Sequence, residues 1–430
     1  MNVKKLHKGE LLILEFVPSS NELPEEGQRI KLDRTTMELR LQEGQSSSMI
    51  HNDHIALIAL LSVQPFVRER LYIDWDVSEQ FASAVKSVMH YKTEFKSCQG
   101  QPYVVREGRP CLAFSGGIDS TAALLLLPEN TVCVWLDRPT LGKKTMYNKS
   151  AAQHTMSFTK KKGYDVHEIS CDVEHVRSPV GFPVDLSSGI AAIAVSSLCN
   201  GNSIAYGMVM ESAYRTGHSK YRNYPISKHF RTWSQCFEAA GIPLFLPVAG
   251  VSEVGTSAIV LASEFDGNAR SCIRGEWPNS CENCWKCFRK KLVDFRILSK
   301  SMNEEELIQW MRVREVKYKL NSWPVAHENV LAWSLKNPLL KGRIRDSLLN
   351  RLEGSTRSLE ALTKWYPPSL DLVPGPLKKD FLQRVNQILS PMNEEEIRVT
   401  ESLDLKDWLE SNEGITAREN FNQMMTDILI

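Results

Sequence analysis

Cys111-Leu112-Ala113-Phe114-Ser115-Gly116-Gly117-Ile118-Asp119-Ser120, running on into Thr121-Ala122-Ala123-Leu124-Leu125-Leu126-Leu127, is the stretch on which the reading of this chain turns. A short apolar run, a glycine pair and a helix-forming run spell strand, tight turn, helix. Two adjacent glycines let the backbone bend sharply and bring bare N–H groups close to an anion. The helix that follows aims the positive end of its dipole at the same place. Ser115, Ser120 and Thr121 add hydroxyl donors, so the loop reads as a phosphate or pyrophosphate cradle. It is not a Walker A loop, because no Gly-Lys-Ser/Thr follows it.

Outward from the loop, strand-like and helix-like runs alternate. Residues 131–136, 166–170 and 203–208 have strand character, whereas 145–162 (rich in lysine) and 187–199 (rich in small residues) have helical character. Repeated strand–helix units predict an α/β fold, a doubly wound parallel sheet over residues 106–300 with ligands at the carboxyl ends of its strands. Residues 1–105 read as an N-terminal α+β extension, with strands at 11–17 and 37–41, helices at 54–61 and 77–90, and a linker at 99–109. Residues 301–430 read as a helical C-terminal domain. Its helices are expected at 304–316, 327–334, 357–365, 377–389 and 405–410, interrupted by Pro367-Pro368 and Pro374-Gly375-Pro376. Glu394-Glu395-Glu396 reads as a solvated helix start. Trp310, Trp323, Trp333, Trp365 and Trp408 fit either an interface or plain core packing.

The chain has ten cysteines. Cys98, Cys111, Cys133, Cys171, Cys199 and Cys236 are scattered and read as buried thiols. Cys272, Cys281, Cys284 and Cys287 fall within sixteen residues. Four thiolates at that spacing suit a tetrahedral Zn²⁺ site with no open position, hence a structural one. Asn283 is the residue expected to take the left-handed conformation of the Cys-x-x-Cys knuckle. An iron–sulfur cluster is the rival occupant.

A formal net charge of +1 gives no global drive toward nucleic acid, although a local basic face is compatible with it. No run approaches the roughly 18–20 apolar residues of a membrane span, and no signal peptide is legible in the first residues. These readings predict a cytoplasmic protein without a membrane partner, in a reducing compartment that favours metal over disulfides.

The six residues Ser115–Ser120 resemble the S-G-G-x-D-S signature of the PP-loop (N-type ATP pyrophosphatase) superfamily. Several further features are similar to the QueC family of 7-cyano-7-deazaguanine synthases, which act in queuosine-precursor biosynthesis. They are Ser271-Cys272-Ile273-Arg274-Gly275 with the cysteine quartet and Arg289-Lys290-Lys291, then Asp137 closing a strand, Gly207 after another, Tyr224-Pro225 with Phe230, and 241–247. The resemblance covers about 190 of the 430 residues. It implies ATP, Mg²⁺ and Zn²⁺ as cofactors and an AMP-forming C–N ligase that adenylates a carboxylate, then forms an amide or nitrile. Ser115, Gly116, Gly117, Ile118, Ser120 and Thr121 would hold the pyrophosphate, with Asp119 on Mg²⁺ or fixing the loop. Asp137 and Gly207 would lie near the nucleotide, and Glu211, Tyr224 or the lysines Lys143, Lys144 and Lys149 would meet the substrate.

The chain departs from that family at substrate-facing positions. Ser212, Ile226, Ser227 and Ser252 stand where the family has aspartate, aspartate, cysteine and lysine, and no Arg-Asn pair occurs near Pro183. The departures imply retained ATP handling and an altered acid substrate, a small-molecule carboxylate or a modified protein. Extra flanking segments resemble QueC-like proteins of bacterial anti-phage defence (the QatC type), which would bring partner proteins of a complex; a homodimer is compatible with the same reading. Two other readings stay open, a tRNA-thiolating PP-loop enzyme and a nucleotide-switched, non-catalytic subunit of a defence complex.

Overall fold

The computed structural model of the chain describes residues 1–22, 29–105, 107–142 and 147–429, and the side chains of all these except the last two. Lys143 and Lys144 lie outside the described residues. The described residues form twelve strands: β1 (Asn2–Lys8), β2 (Leu11–Val17), β3 (Lys31–Leu32), β4 (Thr36–Arg40), β5 (Arg70–Ser78), β6 (Lys92–Gly100), β7 (Arg109–Ala113), β8 (Val132–Asp137), β9 (Asp165–Cys171), β10 (Arg177–Ser178), β11 (Gly201–Tyr206) and β12 (Leu244–Phe245). Ten of them form one sheet in the order β12-β11-β7-β8-β9-β4-β2-β1-β5-β6, and β3 pairs with β10 apart from it.

β12, β11, β7, β8 and β9 run parallel, as the strand–helix alternation predicts. Their centre is buried on both faces, which is why Cys111-Leu112 and Val132-Cys133-Val134-Trp135 read as unbroken apolar runs. On one face pack the helices Asn52–Val63 and Ile190–Ser196. On the other lie Ile118–Leu126, Ser150–Lys161 and Glu253–Leu261. From β7 the chain steps outward through β8 and β9, then crosses back to β11 on β7's other side. That reversal leaves a crevice at the carboxyl ends of β7 and β11.

The N-terminal region extends this sheet. β4 pairs antiparallel with β9, through Leu39 opposite Cys171 and Arg40 opposite Ser170. The junction is fixed by Asp172, which accepts the Glu38 N–H at 2.7 Å and pairs with Arg34. β1, β5 and β6, not foreseen from the sequence, close this end; their alternating burial dilutes the apolar signal with lysines and acids.

Residues beyond 300 are helical, and they share cores with the sheet domain. The helix Trp285–Ile297, which carries Cys287 and is capped by Cys284, packs on Glu328–Leu335. Phe288, Leu292, Trp310, Met311, Trp333 and Phe421 form one buried cluster with Cys272, Cys284 and Cys287. Trp365, Phe381 and Val385 pack instead with Phe245 and Val248 behind the sheet. Trp310, Trp333 and Trp365 are therefore core residues, while Trp323 and Trp408 are half-buried and face each other at 5.1 Å.

The expected helix at 304–316 is two, Glu304–Arg312 and Arg314–Leu320, and that at 357–365 contracts to a single turn, Glu360–Thr363. The lysine-rich helix begins at Ser150 and the small-residue helix at Ile190. Glu394–Glu396 open a helix capped by Asn393, with Glu396 returning a bond to the cap N–H. Cys111, Cys133, Cys171 and Cys236 are buried, whereas Cys98 and Cys199 are partly exposed. Among the described residues no helix is long and apolar enough to cross a membrane.

Candidate nucleotide cleft and metal centre

β7 delivers Ser115 to the crevice, and the chain turns there at Gly116, whose φ is +72°. An L side chain is strained at that φ, and a Cβ would sit 3.1 Å from the Thr155 Cβ and 3.2 Å from the Met156 Cε. The Gly116 carbonyl is turned away, accepting from Thr155 Oγ1 at 3.3 Å. Gly117 caps the helix Ile118–Leu126 without a side-chain bond of its own, so the first helical N–H groups are open toward the crevice. Ser115 and Ser120 hydroxyls lie 3.0 Å apart and brace the turn.

Thr121 is fully buried, and its hydroxyl does not face the crevice. Gly207 ends the approach of β11; a Cβ there would lie 2.7 Å from the Ser120 nitrogen. Only glycine lets this strand end close so tightly on the first turn of the helix Ile118–Leu126.

A cleft of about 500 Å³ opens on this loop, lined by Ser115, Gly117, Asp119, Ser120 and Gly207 together with Val134, Leu136, Ser212 and Asp185. Three cations line it: Arg138, Arg270 and Lys286. Arg138 is paired with Glu174 at 2.9 Å and stacked on Tyr147 at 3.6 Å. Arg270 lies over Trp277 at 5.6 Å, and neither it nor Lys286 has a carboxylate within ion-pair distance among the described residues. Unpaired cations and open helix N–H groups on one cleft favour an anion there.

Asp119 accepts from Thr256 Oγ1 at 2.9 Å and Lys290 Nζ at 3.2 Å, both on Oδ1, which leaves Oδ2 toward the cleft. Lys290 is buried, and its charge persists because Asp119 and Glu253 outweigh the burial that pulls its pKa down. Beside it Glu253 holds Arg289 through both oxygens at 2.6 and 3.2 Å. Burial pushes Glu253 up, but Arg289, Lys290 and His327 together bring it well below the usual carboxylate range. Lys286, Arg289 and Lys290 stand three and four residues apart on one helix, a spacing that puts three cations on one face. Arg289 and Lys290 belong to the basic run after the quartet, which was their legible signal, whereas Lys286 lies inside the quartet between Cys284 and Cys287.

Asp137 ends β8 and is held by Lys149 Nζ at 2.8 Å, an ion pair that raises the lysine's pKa. Tyr224 does not line the cleft. It is buried, its hydroxyl 3.0 Å from His229 Nδ1, and His229 Nε2 meets Asp185 Oδ1 at 2.9 Å. Burial raises Asp185, yet the His229 bond and charge outweigh it and keep the carboxylate ionised. Glu211 does not reach substrate either: it is 0% exposed and accepts the Glu253 N–H at 3.0 Å and Asn329 Nδ2 at 3.2 Å. Its neighbour Ser212 is the residue of that turn that lines the cleft. Ser227 and Ser252, two of the departures from the QueC pattern, are helix N-caps.

The four sulfurs of Cys272, Cys281, Cys284 and Cys287 lie within 4.8 Å of one another, with Cys281 and Cys287 3.7 Å apart. Four ligands at about 2.3 Å from a tetrahedral Zn²⁺ would be roughly 3.8 Å apart, so the set fits the ion. The Cys272 sulfur accepts N–H groups of Gly275 and Cys281 at 3.3 Å, and that of Cys284 accepts from Cys287 at 3.4 Å. The left-handed residue of the knuckle is Glu282, φ +46°, and not Asn283. Cys272 also lines the cleft, so the four-cysteine cluster adjoins the wall that carries Arg270 and Lys286.

Residues 232–404 match DUF6395, a family of unknown function. The matched span runs from the helix Lys228–Ala239 through the quartet and most of the C-terminal helices, and does not include the glycine turn Ser115–Ser120. No curated protein matches the chain. No solved structure matches it either.

Proposed function

We propose that the chain is an AMP-forming, ATP-dependent ligase that adenylates a carboxylate and passes it to ammonia or an amine. One observation carries the reading: a strand, a left-handed glycine and a bare helix N-terminus meet in a cleft whose wall holds two unpaired cations. That arrangement suits a triphosphate better than a neutral ligand. The PP-loop likeness of Ser115–Ser120 selects cleavage between the α- and β-phosphates.

In this reading the backbone of Gly116 and Gly117, with the Ser115 and Ser120 hydroxyls, holds the β- and γ-phosphates, and the side chains of Arg270 and Lys286, which line the same cleft, meet them. Asp119 would hold Mg²⁺, which would neutralise phosphate charge, while Lys290 and Thr256 fix the orientation of its carboxylate. The substrate carboxylate attacks the α-phosphorus and pyrophosphate leaves. Ammonia then attacks the acyl carbon, AMP leaves, and the surplus proton passes to solvent. Asp185, kept ionised by His229, would take the proton that an incoming ammonium ion loses before it attacks as ammonia. The protein's share is positioning and charge stabilisation. Zn²⁺ on the four cysteines would supply rigidity and no open coordination position.

The test is product analysis with ATP, Mg²⁺, ammonium and a panel of small carboxylates, with metal measured on the same sample. AMP with pyrophosphate supports the ligase. ADP with phosphate, or ATP affinity unchanged by Gly116→Val, overturns it. ATP bound but never cleaved would favour the switched subunit, and iron with labile sulfide the thiolating enzyme.

A further inference from the structure

Two of the scattered cysteines meet in space. Cys111, in β7, and Cys199, in the turn between the helix Ile190–Ser196 and β11, hold their sulfurs 3.5 Å apart. A disulfide needs about 2.05 Å, so roughly 1.5 Å of travel would close the bond. Gly201 keeps that space clear, since a Cβ there would sit 2.8 Å from the Cys111 sulfur. The β7–β11 register shifts between Gly201 and Ser203, so the ladder is already irregular beside the pair.

The two thiols have different surroundings. Cys111 is 0% exposed, whereas Cys199 is partly exposed. Arg109 donates from Nε to the Cys199 carbonyl at 3.4 Å, which sets a guanidinium beside that residue. The hydrogen bond from Cys111, with the Arg109 charge, brings the Cys199 thiol down against its burial and Asp165. The same bond, with burial, pushes Cys111 well up. Burial also pushes up the thiols of Cys133, Cys171 and Cys236. A partly exposed sulfur beside a cation is the nucleophilic kind, and a thiol sealed in apolar surroundings is inert. Cys199 is the first kind, with a second sulfur in contact with it. Among the described residues no further cysteine, histidine or carboxylate joins the two in a metal-sized cluster, as happens in the quartet. That favours redox chemistry over metal binding for this pair.

We propose that Cys199 and Cys111 form a peroxide-reactive pair that closes to a reversible disulfide, a modification site apart from the nucleotide cleft and the metal centre. The Cys199 thiolate attacks hydrogen peroxide; an S–O bond forms, the O–O bond breaks, and the departing hydroxide takes a proton to become water. Cys111 then attacks the sulfur of the resulting sulfenic acid. The S–S bond forms, the S–O bond breaks, and the hydroxyl leaves as a second water with the Cys111 proton. Two thiols are oxidised and one peroxide is reduced; a thiol reductant reverses the step. Cys111 lies in the strand that delivers Ser115, so the bridge forms on the element that carries the glycine turn.

The test is a peptide map of the full chain after excess hydrogen peroxide, quenched with catalase and alkylated with N-ethylmaleimide in denaturant without reductant. The expected product is a Cys111–Cys199 link, two hydrogens lighter than the paired thiols. It should form at least about tenfold faster than Cys133, Cys171 or Cys236 is oxidised, and dithiothreitol should remove it. In Cys111→Ala the sulfenic acid has no partner, and dimedone should label Cys199. In Cys199→Ala, Cys111 should remain a thiol. Circular dichroism checks that both variants fold, and the wild-type map decides the proposal without them. Recovery of both thiols unlinked, a link from Cys199 to another cysteine, or dimedone on Cys111 in Cys199→Ala overturns it. None of these readouts depends on nucleotide binding.

Discussion

Glu211 offers a sharp test of the electrostatics behind the loop. The carboxyl is fully buried, and burial, with the nearby charge of Glu253, pushes its pKa from 4.5 up to about 7. A carboxyl with a raised folded-state pKa binds its proton more tightly in the native than in the unfolded chain. Its stabilisation is therefore complete below about pH 4.5 and drains away as pH rises toward 7. The gap is worth about 3 kcal/mol in all, of which roughly 2–3 kcal/mol falls between pH 5 and 8. Glu211→Gln removes the titration. Glutamine supplies one acceptor where Glu211 accepts two bonds, from the Glu253 N–H and from Asn329, a pH-independent loss of about 1–2 kcal/mol. Urea unfolding followed by tryptophan fluorescence at pH 5, 6, 7 and 8 should find the wild type ahead at pH 5. The difference should close or reverse by pH 8. Asp294, raised to about 6 by burial, slopes the same way in both proteins and cancels in the comparison. Parallel profiles, with a difference constant to about 0.5 kcal/mol, would refute the assignment of a buried Glu211 with a raised pKa.

Cys284→Ser should lose the metal, about one zinc per chain, and lower stability by several kcal/mol, read by metal analysis and a thermal melt; a stable, metal-free wild type would end that reading. Gly116→Val forces a branched residue to φ +72° against Thr155 and Met156; it should cost about 1–3 kcal/mol and abolish ATP binding by calorimetry. Asp119→Ala strands the buried Lys290 and should cost about 3–5 kcal/mol as well as turnover, whereas Asp119→Asn keeps more of the stability. Truncation after residue 300 strips Trp310, Trp333 and Phe421 from the cluster that holds three of the cysteines, so the shortened chain should be insoluble on expression.

The strand, the glycine turn, the helix and the cysteine spacing were legible because each is a local rule. A φ of +72° demands glycine, a bare N-terminus follows from what the turn lacks, and four thiols in sixteen residues can reach one ion without help from the rest of the chain. The parallel sheet followed from period and order, since β7, β8 and β11 are buried on both faces and read as apolar runs. Three matters were decided only by tertiary structure. The N-terminal strands continue the main sheet because β4 finds β9's free edge, and strand pairing across 130 residues leaves no mark in local composition. Glu211 and Tyr224, polar and well placed in the sequence, are turned inward to cap a helix and back a histidine. Lys290 and Thr256 reach Asp119 from residues 171 and 137 positions away. Which carboxylate is solvated, paired or buried depends on what the fold packs against it, and residue type alone carries none of that energy.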